Sequence, residues 1–377
     1  MSNVNPPMDL ATPKGIVAFL ESTDFASVVA IPITGGYGNY VFRVALKKPY
    51  QGRETLVVKH GKPYIPGNEN FKFAVERQAY EVAAMKHVHT WLSQLDHFSV
   101  VTVPAIHLYD ATANVIIMDD CGAYTKTLKQ STLDGLPSLE VAQQIGTALG
   151  DFLARLHSWG SADQEGLKYF DGNQQARSLS AWATYGRLVS TLKGEDEGIA
   201  SLKSPTLDVS ADQLQTIGEL AKQTTEEMMK TYETLVMGDF WPGNFLLDFS
   251  PDGEAIKRIY IVDWELVRPG IAGLDVGQFL AEMHLLRRFH PHCAESSSAV
   301  ISAFQKAYAS TRGDVPQEVA RKAMVHVGAH LVAWTPRIDR GTREKTREVV
   351  HEGVEYLLSG SGAERQDTTW QAFGNTV

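Results

Sequence analysis

Residues 235–249, LVMGDFWPGNFLLDF, and residues 259–265, IYIVDWE, constrain this chain more than any other stretch. FLLDF and IYIVD read as two short β-strands that hold polar residues on opposite sides of one cleft. Asp239 and Asn244 stand five positions apart just before the first strand, and Asp263 closes the second. Phosphoryl transfer needs such a set. An acidic side chain orients an attacking hydroxyl, an amide reaches a Mg²⁺ ion, and a second carboxylate bridges the metal to the phosphates. The blander account has Asp239 opening a surface turn that Pro242-Gly243 continues. The D-W-E that follows weighs against it.

At 377 residues the chain exceeds what one core usually supports, so two domains are expected, residues 1–120 and 121–377. A net charge of −9 argues against a nucleic-acid partner, because phosphate backbones select basic faces. The two cysteines, Cys121 and Cys293, lie far apart without metal-type spacing. They suit a reducing cytosol and offer no disulfide framework. The start, MSNVNPPMDLATPKG, has neither a basic nor an apolar leader region. No run of about 18 apolar residues suggests a membrane span. The closing ERQDTTWQAFGNTV is polar and is expected to fray. Oligomeric state is not legible.

The first third reads as β-rich and the rest as mainly helical, an α+β chain. ATPKGIVAFLES reads as a helix capped by Thr12 with Pro13 first. SVVAIPI, YVFRVAL and TLVVKH follow as strands, then FKFAVERQAYEVAAMKHVHTWLSQL as a helix, then AIHLYD and NVIIMDD as strands. From about Ser138 helices dominate: LEVAQQIGTALGDFLARLHSWG, DQLQTIGELAKQTTEEMMKTYE, LDVGQFLAEMHLLRRF, SAVISAFQKAYAST, PQEVARKAMVHVGAHLVAW and a last one near TREVVHEGVEYLLSG. The stretch CGAYTKTLKQSTLDG is the natural seam between the two parts.

A second constellation lies in the first third. TGGYGNYVFRV places Gly35, Gly36 and Gly38, with Asn39, in a turn between strands, where backbone N–H groups can approach phosphate oxygens. Lys59 stands near the end of the next strand, and Glu76 or Glu81 on the following helix is its candidate partner. Glycine turn, strand lysine, helix glutamate, D-x-x-x-x-N and strand aspartate come in the order that protein kinases use.

With these residues in place, the chain resembles the aminoglycoside phosphotransferase/choline kinase group, and within it methylthioribose kinases through LVVKHGKPYIPG and NYVFRV. The resemblance covers roughly Ile31 to Trp334. It implies a bilobal protein-kinase-like fold, with ATP between a small β-rich lobe and a larger helical one. It implies Lys59 on the phosphates, Asp239 as catalytic base, Asn244 and Asp263 as Mg²⁺ ligands, and Glu265 assisting a second metal. The adenine would lie against the segment after Met118, at the backbone of Asp119 and Cys121. The register of VERQAYE favours Glu76 as the partner of Lys59. Asp275, in GLDVG, would brace the catalytic loop, and Trp334 would line the acceptor pocket.

The group opens its catalytic loop with His-Gly-Asp, where this chain has Met237, and methylthioribose kinases carry a loop other than F-W-P-G-N after the base. The implied acceptors are a hydroxylated indole-ethylamine, an aminoglycoside-like amine, a sugar or an amino alcohol. A nucleotide-binding pseudokinase is the rival class, which Met237 supports and the intact Lys59, Asp239, Asn244 and Asp263 oppose. A protein kinase is disfavoured, because D-F-G and A-P-E are missing.

Other features read as structural. His87, His89 and His97, and the run His290, His292 and Cys293, lack the convergence a metal needs. His157 reads as a buried, hydrogen-bonded residue beneath the catalytic loop. Trp159 and Trp182 read as core.

Overall fold

Thr12 accepts the Gly15 N–H and starts α1 (Pro13–Leu20), the first element of a computed structural model that describes residues 8–36, 38–95, 99–313 and 317–361. Tyr37, His97 and the closing ERQDTTWQAFGNTV, all named above, lie outside the described residues. Two compact units are present. One comprises Met1–Asp96 with Thr102–Tyr124, and the other His97–Val101 with Thr125–Val377.

The first unit is built on β1 (Ser27–Pro32), β2 (Tyr40–Tyr50) and β3 (Arg53–His60), followed by the small hairpin of β4 (Tyr64–Ile65) and β5 (Asn68–Lys72). Helix α2 (Arg77–Ser93) comes next and, after β6 (Val101–Thr102), whose sheet is that of the second unit, β7 (Ile106–Asp110) and β8 (Val115–Asp119). The main sheet runs in the order β1-β2-β3-β8-β7, antiparallel throughout. Phe42, Val44, Leu56, Val58, Val115 and Ile117 form its apolar face, which packs on Ile16 and Leu20 of α1. Burial of these β-branched and aromatic side chains is the main driving force for the unit.

The second unit opens with β9 (Lys126–Thr127), α3 (Leu128–Asp134) and α4 (Leu139–Ala162). Three short helices follow, α5 (Gln164–Phe170), α6 (Gln174–Thr184) and α7 (Leu188–Leu192), and then α8 (Ala211–Lys230). Ser210 and Gln213 start α8 with a reciprocal capping box, a device worth about 1 kcal/mol. Then come β10 (Thr234–Val236), β11 (Phe245–Phe249), β12 (Ile256–Ile261) and β13 (Arg268–Gly270). Four helices complete the unit: α9 (Ala272–Phe289), α10 (Ala294–Arg312), α11 (Gln317–Trp334) and α12 (Arg343–Gly360). Strands run in the order β6-β12-β11-β9 in one sheet, while β10 pairs β13 separately.

Small residues let α4 approach α10 closely. A Cβ at Gly146 or Gly150 would fall 2.3 Å from the Val300 or Phe304 carbonyl oxygen, so any larger residue pushes the helices apart. The core beside them is aromatic. Phe240, Phe245, Phe279 and Phe304 meet in tilted pairs with centroids 4.4 to 6.5 Å apart. Each such pair adds about 0.5–1.5 kcal/mol beyond area burial.

Three expectations change. Helix α2 begins at Arg77 rather than at Phe71, because Asn68–Lys72 pairs as a strand with Tyr64–Ile65. The segment between α4 and α8, unread in sequence, folds into α5, α6 and α7. Trp182 is 51% exposed and is not core.

Candidate active site

In the second unit the site grows from the end of β10. The chain leaves Val236, passes buried Met237 and turns at Gly238, whose φ is +79°. Asp275, in the first turn of α9, receives both N–H groups of this turn: Met237 N at 2.7 Å and Gly238 N at 2.9 Å. His157 stands behind Asp275, with Nε2 at 3.6 Å from Oδ2, and shares a 2.9 Å hydrogen bond with the Tyr308 hydroxyl. A carboxylate buried with two main-chain donors fixes where the next residue begins.

That next residue is Asp239. Its Oδ2 accepts from Asn244 Nδ2 at 3.0 Å and its Oδ1 from Gln278 Nε2 at 2.8 Å. Gln278 was not singled out in the sequence, although it stands three residues after Asp275, on the same face of α9. Burial pushes the Asp239 carboxyl up to about 7, and the negative charges of Asp263 and Glu265 push the same way against the two amide hydrogen bonds. A carboxylate titrating there is suited to taking a proton near neutral pH.

Strand pairing brings the second carboxylate in. Phe245 lies opposite Ile261, and Val262 N donates to Asn244 O at 3.0 Å, so Asp263 follows directly after a residue bonded to Asn244. Asp263 takes φ +62°, a left-handed conformation that aspartate tolerates better than most residues. The turn after it is pinned on both sides. Trp264, fully buried, donates its indole N–H to Ile261 O at 3.1 Å, and Asn173 Nδ2 donates to Glu265 O and Val267 O at 3.0 Å each. Asn173 precedes α6 by one residue and nothing in its sequence context points to this role.

In the first unit Lys59 on β3 donates to Glu81 Oε1 at 2.6 Å, with both side chains almost fully buried. This corrects the choice of Glu76. Glu76 is the exposed N-cap residue of α2, five residues and about 140° around the helix from Glu81. Arg77, also missed, is buried beneath the glycine-rich turn. It donates to Gly38 O at 2.6 Å and Asn39 Oδ1 at 3.2 Å, and to Phe73 O and Ala74 O at 2.8 Å. Gly35 takes φ +115°, and a Cβ at Gly35 or Gly36 would meet nothing within 4 Å.

Met118 and Cys121 are buried. The Asp119 N–H is taken by Ala105 O at 3.0 Å, and its side chain by Arg53 at 2.5 Å and His107 at 2.7 Å. That N–H is thus already committed to the main chain. Arg43 grips Asp120 at 2.6 and 2.9 Å and Gly122 O at 3.1 Å, which sets the course of the chain past Cys121.

Trp334 is half-buried against the cluster that includes Leu188, Ile217 and Val332. Its ring stacks on His330 at 6.0 Å, Arg187 lies 4.9 Å over it, and its N–H meets Thr184 Oγ1 at 3.4 Å.

Residues 29–320 match the phosphotransferase enzyme family (APH). The chain is 34% identical to a 4-hydroxytryptamine kinase of Psilocybe cyanescens and 31% identical to one of Psilocybe cubensis, each match covering 92% of both proteins. A methylthioribose kinase of Bacillus cereus is 24% identical over 69% of this chain and 61% of that protein. The chain therefore belongs to the phosphotransferase enzyme family, as one of its small-molecule kinases. Among the described residues no helix is long and apolar enough to cross a membrane.

Proposed function

We propose that this chain transfers the γ-phosphoryl group of ATP, with Mg²⁺, to the hydroxyl of a hydroxylated indole-ethylamine. The observation that carries the chemistry is Asp239, with both oxygens held by amides and its carboxyl raised to about 7. The acceptor rests on the two relatives named 4-hydroxytryptamine kinase. The loop F-W-P-G-N is a departure from methylthioribose kinases, which places that sugar second.

Asp239 takes the proton of the acceptor hydroxyl as its oxygen bonds to the γ-phosphorus, and the bond to the β-bridging oxygen breaks to release ADP. Because Asn244 commits its amide nitrogen to Asp239, its carbonyl oxygen is the atom to offer a metal. Asp263 and Asn244 make a two-donor protein set. Among the described residues no group of three or more His, Cys, Asp or Glu is placed to hold a metal. Two donors fit Mg²⁺, which keeps waters and shares phosphate oxygens. Bound there, the ion would neutralise charge on the phosphates and offset repulsion among Asp239, Asp263 and Glu265. Glu265 is the candidate for a second ion.

In the first unit Lys59, oriented by Glu81, is proposed to pair with nucleotide phosphates. Gly35, Gly36, Gly38 and Asn39 form the phosphate turn, and the backbone past Met118 at Cys121 receives the adenine. Trp334 is proposed as one wall of the acceptor pocket. The buried Met237 offers a pseudokinase no further support, since its N–H secures the loop to Asp275.

The deciding experiment incubates the purified chain with γ-labelled ATP, Mg²⁺ and a panel of hydroxytryptamines, aminoglycosides, choline and methylthioribose. Transfer should be strongest to a hydroxytryptamine and should fall about 10²–10⁴-fold in Asp239→Asn with nucleotide affinity kept. Nucleotide binding without transfer to any acceptor would return the chain to the pseudokinase class.

A further inference from the structure

Arg268 is buried on β13, at 3% exposure, and pairs in register with Val236, two residues before the turn at Gly238. Its Nη1 donates to Leu266 O at 2.8 Å, which folds the guanidinium back over the turn that precedes its strand. A Cβ built on Gly238 would lie 2.0 Å from Arg268 Nη1, 3.2 Å from its Cζ and 2.4 Å from Leu266 O. The planar head therefore rests directly on the Cα of the residue that precedes Asp239. On the amide side of the same residue stands Asp275, bonded to Gly238 N at 2.9 Å.

We propose that Arg268 is a positioning residue for the transfer step: with Asp275 it clamps Gly238 from two sides and so sets the direction in which Asp239 leaves the turn. The inference rests on Asp239 acting as the base. No loop residue other than glycine meets both requirements at 238. Its φ of +79° disfavours side chains, and the guanidinium fills the volume a Cβ would need. A short flexible contact could not do this. The arginine fork is rigid and planar, so covering Gly238 and reaching Leu266 O are met by one geometry.

Charge adds to shape. Arg268 lies within electrostatic reach of Asp275 and Asp239, both of which favour its charged form against the penalty of burial. A fixed cation there offsets part of the repulsion that Asp239 feels from Asp263 and Glu265. Errors of about 1 Å in a reacting group cost on the order of 10²-fold in rate, so loosening this clamp should appear in turnover rather than in binding.

The test compares Arg268→Met and Arg268→Lys with the unaltered chain and with Asp239→Asn, reading kcat, both KM values and the melting temperature. In Arg268→Met, kcat should fall at least tenfold while KM for ATP and for acceptor stays within threefold. Arg268→Lys, which keeps the charge but not the fork, should recover only part of the loss. A folded Arg268→Met with kcat within threefold overturns the proposal, as does a rise in KM at constant kcat. If Arg268→Met does not fold, Arg268→Lys decides. A kcat within threefold of the unaltered chain overturns the clamp, and a larger loss at constant KM supports it. Full activity in Asp239→Asn would instead remove the base assignment on which the clamp depends.

Discussion

Lys59 and Glu81 meet at 2.6 Å within the first unit, their side chains 4% and 1% exposed. The pair spans β3 and α2, so the position of the lysine depends on the seating of the helix. Breaking a buried ion pair leaves the survivor charged and unpartnered, which costs about 3–5 kcal/mol. Glu81→Ala should therefore lower the denaturation midpoint clearly and weaken nucleotide binding. Glu76→Ala, at an exposed helix start, should change stability by only about 0.5 kcal/mol. Equal effects from the two substitutions would show that the pair does not hold Lys59.

Asp263→Ala should abolish Mg²⁺-dependent nucleotide binding measured by calorimetry. Asn244→Ala should weaken it less, because it removes one neutral ligand, yet it should also depress kcat, since the amide holds Asp239. Unchanged Mg·ATP affinity in Asp263→Ala would exclude it as a metal ligand.

Trp334→Ala separates a wall of the acceptor pocket from a packing residue. As a wall, its loss raises KM for the acceptor while KM for ATP moves little. An indole acceptor would be affected more than a sugar, because ring stacking is worth on the order of 1 kcal/mol. The contacts with His330, Arg187 and Thr184 mean that the substitution also costs stability. A fall in melting temperature with acceptor KM constant would assign the ring to packing alone.

Glu282, buried on α9 one helical turn after Gln278, bonds to His330 at 2.8 Å and to Arg340 at 3.1 Å. Burial opposes its ionisation, but the Arg340 charge and His330 outweigh it and hold the carboxyl down at about 2. Its folded pKa thus lies below the unfolded value, so its contribution is complete above about 4.5 and disappears as pH falls toward about 2. The stability gap between the unaltered chain and Glu282→Gln, from urea denaturation, should be constant from neutral pH to about 5 and shrink below it. A gap that stays constant to pH 3 would show that the carboxylate is not held by this network.

The parts of the site legible in sequence are those that chemistry spaces along one segment. Asp239 and Asn244 share a loop whose length is set by one side chain reaching the other, and Asp263 stands two residues past a strand whose apolar run marks it. Gly35 and Gly36 in a turn and Lys59 on a strand follow the same logic of local position. Glu81 was missed because Glu76 and Glu81 lie on one helix, and only the docking of α2 decides which face meets β3. Arg77, Asn173 and Arg268 carry no motif, since what each does for the site is decided by its approach to a segment distant in sequence: Gly38, Glu265 and Gly238.

By itself, the sequence determined most strand and helix types, the cap at Thr12, and the order of Lys59, Asp239, Asn244 and Asp263 along the chain. These depend on side-chain period and on contacts a few residues apart. Tertiary structure alone decided which carboxylate pairs with Lys59, that Gln278 shares Asp239 with Asn244, and that Arg268 closes on Gly238 opposite Asp275. Those partners come from separate elements, and their meeting depends on how helices and strands pack. The close approach of α4 to α10 at Gly146 and Gly150 is of the same kind. The physical reason is range: propensity and spacing act along the chain, whereas burial and charge pairing act across it.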